Sequence, residues 1–164
     1  MNIYSEDTKS QIQDIKNKAQ KYNHKKIGFT CSAFDLFHCG HILMLEDAKS
    51  QCDILIVGLH TNPHIDRPNK NTPIQEYEER FIQVNGCKYV DEIIKYQTED
   101  DLLNILKELN PDVRILGTDW YGKKYTGNEL PIPIHWHHRN HNWSTTYLRN
   151  RVYEREKKLR DENL

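Results

Sequence analysis

The chain predicts a doubly wound α/β fold with one mainly parallel sheet, and three observations carry that prediction. From Lys26 onward, short apolar runs alternate with amphipathic stretches, the pattern of a parallel sheet wrapped by helices. The first of these runs, Ile27 to Cys31, passes through a short loop directly into a helical pattern at Ile42, Leu43, Leu45 and Ala48. A length of 164 residues with 37% hydrophobic content fits one domain with its own core.

Ahead of the sheet, residues 6–24 carry Ile12, Ile15, Ala19 and Tyr22 at helical spacing, without Pro or Gly, which predicts an amphipathic helix. Residues 1–25 are read as an N-terminal helical extension and 26–164 as the main domain. Five strands are expected, at 27–31, 54–59, 92–95, 113–116 and 132–136, with helices at 40–50, 76–84, 100–109 and 145–158. The strand order should reverse beside the first strand, opening a site over the carboxyl ends. Segment 60–73 holds three of the six prolines among Asn, Asp, Arg and Lys, and predicts a loop long enough to be a mobile flap. The charge run 154–164 should end the last helix and fray.

Composition excludes several classes of function. With 23 basic and 24 acidic residues the net charge is −1, so no global basic field attracts nucleic acid. A mean hydropathy of −0.86 and the lack of a long apolar run argue against a membrane span. The polar, acidic start has neither an apolar secretory core nor an Arg-rich transit pattern, so a cytoplasmic location is expected. Cys31, Cys39, Cys52 and Cys87 form no CxxC pair and are read as reduced, buried thiols.

The chemistry concentrates where the first strand ends, in Ser32-Ala33-Phe34-Asp35-Leu36-Phe37-His38-Cys39-Gly40-His41. Free backbone N–H groups at a helix start, reinforced by the macrodipole, make an anion site. Two imidazoles three positions apart can both face it, and Gly40 lets a phosphate approach the backbone.

This segment resembles the HxGH signature of the nucleotidyltransferase superfamily of Rossmann-like folds. Tyr77-Glu78-Glu79-Arg80, Lys88-Tyr89-Val90-Asp91-Glu92, Gly117-Thr118-Asp119-Trp120 and the Arg139 to Thr146 stretch follow in the order and approximate spacing of its cytidylyltransferase branch. The resemblance runs from about Lys26 to Thr146 and, within that branch, is to the bacterial glycerol-3-phosphate cytidylyltransferases. The resemblance implies that His38 and His41 contact the transferred phosphorus, while Ser32, Ala33, Phe34, Asp35 and Gly40 shape the nucleotide site. It further implies that Gly117, Asp119 and Trp120 border the cytidine, and that Arg139, Ser144 and Thr145 hold phosphates. Arg80 and Lys70 would approach the acceptor phosphate or the triphosphate.

The implied reaction joins CTP and a small phosphorylated alcohol, glycerol 3-phosphate being favoured, into a CDP-alcohol and pyrophosphate. A phosphate monoester with a second pKa of roughly 6 is already largely dianionic, so no general base is needed. Positioning and charge stabilisation remain, supplied by imidazoles, helix N–H groups, Arg, Lys and Mg²⁺ arriving with CTP. Phosphoethanolamine, serinol phosphate or another polyol phosphate is the alternative acceptor; an adenylyltransferase or a non-catalytic nucleotide-binding module of the same fold is the runner-up. A homodimer is implied by the likeness of Lys88 to Glu92 to the family's subunit-contact segment.

Two departures from the family pattern stand out. Ser32-Ala33 replaces the usual Gly-Thr, and Asn142 with Trp143 replaces Gly-Ile, where Asn should supply any left-handed turn the Gly made. The run His135-Trp136-His137-His138-Arg139-Asn140-His141 admits a transition-metal reading, but acceptor-pocket or solvent-facing histidines are preferred and no metal ligand is assigned. Cys39 is expected to point into the helix packing. The flap 60–73 and the strand 135–141 should form opposite walls of the acceptor pocket, which lacks an aromatic cage for a quaternary ammonium and so favours a hydroxylated acceptor.

Overall fold

The computed structural model describes residues 5–21 and 25–162. Its elements are α1 (Glu6–Lys21), β1 (Ile27–Ser32), α2 (Cys39–Ser50), β2 (Ile54–His60), α3 (Tyr77–Asn85), β3 (Glu92–Tyr96), α4 (Glu99–Leu109), β4 (Val113–Gly117), β5 (Ile134–His137) and α5 (Thr145–Glu162), with a 3₁₀ turn at Thr118–Trp120. The five strands form one parallel sheet in the order β3-β2-β1-β4-β5. The order reverses at β1, as expected, and the crevice this opens lies over the carboxyl ends of β1 and β4.

Both faces of the sheet are covered, which is why β2 reads as an unbroken apolar run. The two-residue period sorts its side chains: Leu55, Val57 and Leu59 pack with Leu45 and Ala48 of α2 and Val84 of α3. Ile56 faces the other layer, where Phe29 and Ile94 meet Ile12, Ile15 and Ala19 of α1 and Leu102, Ile105, Leu106 and Leu109 of α4. The N-terminal helix therefore shares the core of the sheet, and Gln11 ties it further by donating to the Ile93 carbonyl across 2.8 Å. Tyr22, expected on its apolar stripe, lies outside the described residues.

Element ends follow local chemistry. Thr98 caps α4 by accepting from Asp101 N across 3.1 Å, and Asp101 reaches back to the Thr98 N–H across 3.0 Å. β5 begins at Ile134 rather than residue 132, because Pro131 and Pro133 have no N–H for the ladder. Pro133 still contributes its carbonyl, which accepts from Arg114 N at 2.8 Å.

The cysteines are free, but the expectation that they are buried is corrected: Cys39 is exposed and the other three are half-buried. Cys39 falls on the helix face it shares with Ile42 and Leu43, both solvent-exposed, opposite the packed Leu45 and Ala48. The charge run near the C-terminus is helical to Glu162, and α5 buries none of its residues. No helix among the described residues is long and apolar enough to cross a membrane.

Candidate active site

The loop between β1 and α2 is held against its own preference. Phe34 and Leu36 both take left-handed backbone angles, φ 51° and 48°, which cost a β-carbon-bearing residue on the order of 1 kcal/mol or more. Three attachments impose this shape. Phe34 is buried, Asp35 Oδ1 accepts from Ile74 N and Gln75 N at 3.0 Å each, and Thr145 Oγ1 donates to the Asp35 carbonyl at 3.0 Å. Asp35 thus shapes the site by holding the segment before α3 and the start of α5.

Arg80, expected near a phosphate, is placed elsewhere. It is 1% exposed, and its guanidinium donates to the carbonyls of Ala33 and His60 at 2.7 Å, Thr61 at 2.5 Å and Gln75 at 3.1 Å. A guanidinium in that position ties the β1 loop to the end of β2 and the start of α3. The Arg was legible as important from its motif, but its partners are backbone carbonyls, which leave no mark in a sequence.

His38 and His41 come together at the first turn of α2. His38 is the N-cap: its Nδ1 accepts from Gly40 N at 3.1 Å, and the His38 N–H in turn is donated to His41 Nδ1 at 3.3 Å. The rings stack with centroids 3.9 Å apart. Because each Nδ1 accepts a backbone hydrogen bond, each neutral ring carries its proton on Nε2. Burial, with help from His38 and Arg139, pulls the His41 imidazole down to about 3, and burial, Arg139 and His141 lower His38 as well. The pair therefore stands as neutral Nε2–H donors.

Both rings line a cavity of about 1150 Å³ that also takes in Ser32, Lys70, Arg139, Ser144 and Thr145. Lys70 Nζ lies 5.9 Å from the Trp120 ring centroid, joining the 60–73 segment to the turn after β4. At that turn a side chain on Gly117 would strike the Asp119 carboxylate, so glycine allows Asp119 its place. The segment expected to be a mobile flap is latched: Asp66 Oδ2 accepts from Glu99 N at 2.6 Å, and Arg67 pairs with the Glu99 carboxylate. Residues of this segment, Lys70 and Asn71, and residues of the histidine-rich stretch, His137 and Arg139, line the same cavity.

Gly40 lines the same cavity and is closely packed as well. A β-carbon there would sit 2.9 Å from the Trp143 carbonyl and 3.0 Å from the His38 and His141 rings, so the glycine lets the 141–143 turn pack on the helix start. Asn142 is not among the left-handed residues, and the turn makes no use of its tolerance.

One polar side chain of this region lies outside every motif read from the sequence. On α2, Asp47 Oδ2 takes His137 Nδ1 at 2.7 Å and His135 Nε2 at 3.0 Å, binding the helix to β5. His141 stacks on Trp143 with both ring nitrogens buried and unpartnered. Asp47 shares the α2 face of Gly40 at a spacing of seven residues, a signal that becomes readable only once β5 is known to lie against that face. Among the described residues no group of three or more His, Cys, Asp or Glu is placed to hold a metal ion.

Residues 29–152 match the family model described as cytidylyltransferase-like. The chain belongs to the cytidylyltransferase-like family. Among curated relatives of this cytidylyltransferase-like chain, the bifunctional protein HldE of Campylobacter jejuni is 35% identical over 122 residues, covering 71% of the chain and 26% of the relative. The HldE of Caulobacter vibrioides is 35% identical over 108 residues, 65% of the chain and 22% of the relative. The chain thus spans about a quarter of the length of these curated relatives. A solved lipopolysaccharide core biosynthesis protein from Thermoplasma volcanium superposes with a TM-score of 0.56 at 26% identity, covering 73% of this chain and 99% of that one. Pantoate-beta-alanine ligase from Francisella tularensis shares the fold at 19% identity, with a TM-score of 0.59 over 82% of this chain and 66% of that one.

Proposed function

We propose that the chain transfers a cytidylyl group from CTP to a small phosphorylated alcohol, with glycerol 3-phosphate the favoured acceptor, releasing pyrophosphate. The observation that carries this reading is the His38/His41 pair: two neutral Nε2–H donors at a helix N-terminus, facing the cavity that Lys70, Arg139, Ser144 and Thr145 also line. An oxygen of the acceptor phosphate attacks the α-phosphorus, the bond to the β-phosphate bridge breaks, and pyrophosphate leaves with the electron pair. No proton need move, because the acceptor phosphate is already largely dianionic.

In this account the Nε2–H groups and the α2 N–H groups stabilise the α-phosphoryl oxygens as charge shifts onto the leaving group. Arg139 and Lys70 meet the phosphates, with Ser144 and Thr145 as hydroxyl partners. Asp119, Trp120 and Gly117 border the nucleoside, and the rigid Ser32 to Asp35 loop forms the floor. Mg²⁺ enters as part of the MgCTP substrate, carried on phosphate oxygens with several waters.

Cytoplasmic residence and a homodimer belong to the same reading. In the single chain the segment expected at the subunit contact has internal partners: Tyr89 donates to Glu46, Asp91 pairs with Lys49, and Glu92 pairs with Lys18. The lipopolysaccharide-core description of the Thermoplasma protein adds a sugar phosphate to the acceptors to be tried.

The test is a pyrophosphate-release screen crossing CTP, ATP, UTP and GTP with glycerol 3-phosphate, phosphoethanolamine, phosphocholine, serinol phosphate and sugar phosphates. The highest kcat/KM is expected for CTP with a hydroxylated acceptor. A preference for ATP would make the chain an adenylyltransferase, and no release from any pair would overturn the reading.

A further inference from the structure

Asp47 lies on α2 facing β5, where two imidazoles converge on its carboxylate. Burial pushes this carboxyl up, but hydrogen bonds from His137 and His135 outweigh it and hold the group below its ordinary value. An ionised carboxylate has no proton to give, so His137 must present Nδ1–H to it. In the neutral His137 ring the lone pair is then on Nε2. His137 is 9% exposed, pairs with Gly117 at the carboxyl end of the sheet and lines the cavity, whereas His135, two residues back, does not.

Arg139, Lys70 and the His38 and His41 Nε2–H groups offer donors to phosphate. Against them, the neutral His137 tautomer that the carboxylate selects presents an acceptor, which suits a neutral part of a substrate that bears N–H or O–H. We infer that the Asp47–His137 pair reads a hydrogen-bond donor on the substrate, His137 Nε2 accepting from either the exocyclic amine of the base or a hydroxyl of the acceptor. This rests on the nucleotidyl-transfer reading of the cavity. A base with an oxo group at that position, or an acceptor lacking the hydroxyl, leaves Nε2 buried and unpaired, which is how polar sites reject analogues.

The decisive variant is His137→Asn. The Asn Nδ2 occupies the place of imidazole Nδ1 and keeps the bond to Asp47, while nothing replaces Nε2. Equilibrium binding by calorimetry is measured for the full chain with CTP and UTP, with ATP and ITP, and with glycerol 3-phosphate against 1,2-propanediol 1-phosphate in the presence of a bound nucleotide. Loss of about tenfold in the preference for an amine-bearing nucleotide identifies the base as the donor, and a comparable loss in the glycerol phosphate pair identifies the acceptor. His135→Ala, which also weakens the attachment of β5 to α2 but removes nothing from the cavity, should leave the affected preference as it was. If His137→Asn changes neither preference, or weakens every ligand alike, or if His135→Ala abolishes the same preference, the inference is overturned and the cluster only fastens β5. Absence of nucleotide binding by the wild-type chain would overturn the proposed function, and this inference with it; binding without the expected loss overturns the inference alone.

Discussion

His38 donates its backbone N–H to Nδ1 of His41 across 3.3 Å while the two rings stack at 3.9 Å, so each imidazole fixes the position of the other. The proton of each neutral ring is thereby directed to Nε2, which in His38 lies 3.5 Å from the Thr145 hydroxyl at the cavity wall. Removing either ring should cost catalysis more than binding, because these donors act most strongly where charge develops. His38→Ala and His41→Ala are each expected to lower kcat by about 10²-fold or more, with smaller changes in nucleotide Kd. Single-turnover rates and equilibrium titration separate the two quantities.

Arg80 predicts a different outcome. Four backbone carbonyls on three segments depend on its guanidinium. Arg80→Ala leaves them without their donor in a closed interior and should cost on the order of 3 kcal/mol of stability or more. Urea unfolding should show a lower midpoint at an unchanged slope. A fully stable variant with only weakened phosphate binding would restore Arg80 to the role the motif first suggested.

The histidine pair also sets a pH dependence of stability. When pH falls below the ordinary value of 6.5, the unfolded His41 ring takes up a proton, whereas the folded ring resists until about 3. The unfolded chain therefore binds more protons in that window, and stability is full above it and lost as pH falls through it. His38 acts in the same direction. Thermal unfolding from about pH 6.5 to 5, above most carboxylate titration, should show Tm falling with pH, and His41→Phe should flatten that slope.

The amount of this that was readable from the sequence depended on whether an element was fixed by neighbours in the chain or by distant ones. The alternation of apolar runs placed all five strands, and β5 was misplaced by two residues only because Ile132 is buried without being paired. The helix start at His38 was visible because cap, glycine and both imidazoles lie within four residues. The roles of Arg80 and Asp47 are not legible in the sequence because the partners of these side chains lie 19 or more positions away in the chain or are main-chain oxygens. Cys39 was misread because the face of α2 that meets the sheet is decided by Leu45 and Ala48, several residues further on.

α1 offers a check on where the domain begins. Ile12 is fully buried in the core cluster it shares with α4. Ile12→Ala should destabilise the whole chain by about 3 kcal/mol in a single cooperative transition. A separate early transition, with the remainder unchanged, would show α1 to be an independent appendage.

Direct transfer at the His38/His41 pair can be followed by mass spectrometry of a single turnover with MgCTP and glycerol 3-phosphate. One CDP-glycerol is expected for each pyrophosphate formed, with an unmodified protein mass throughout and neither product from His41→Ala on the same time scale. A chain carrying a covalently attached nucleotidyl group, or undiminished product from His41→Ala, would contradict it.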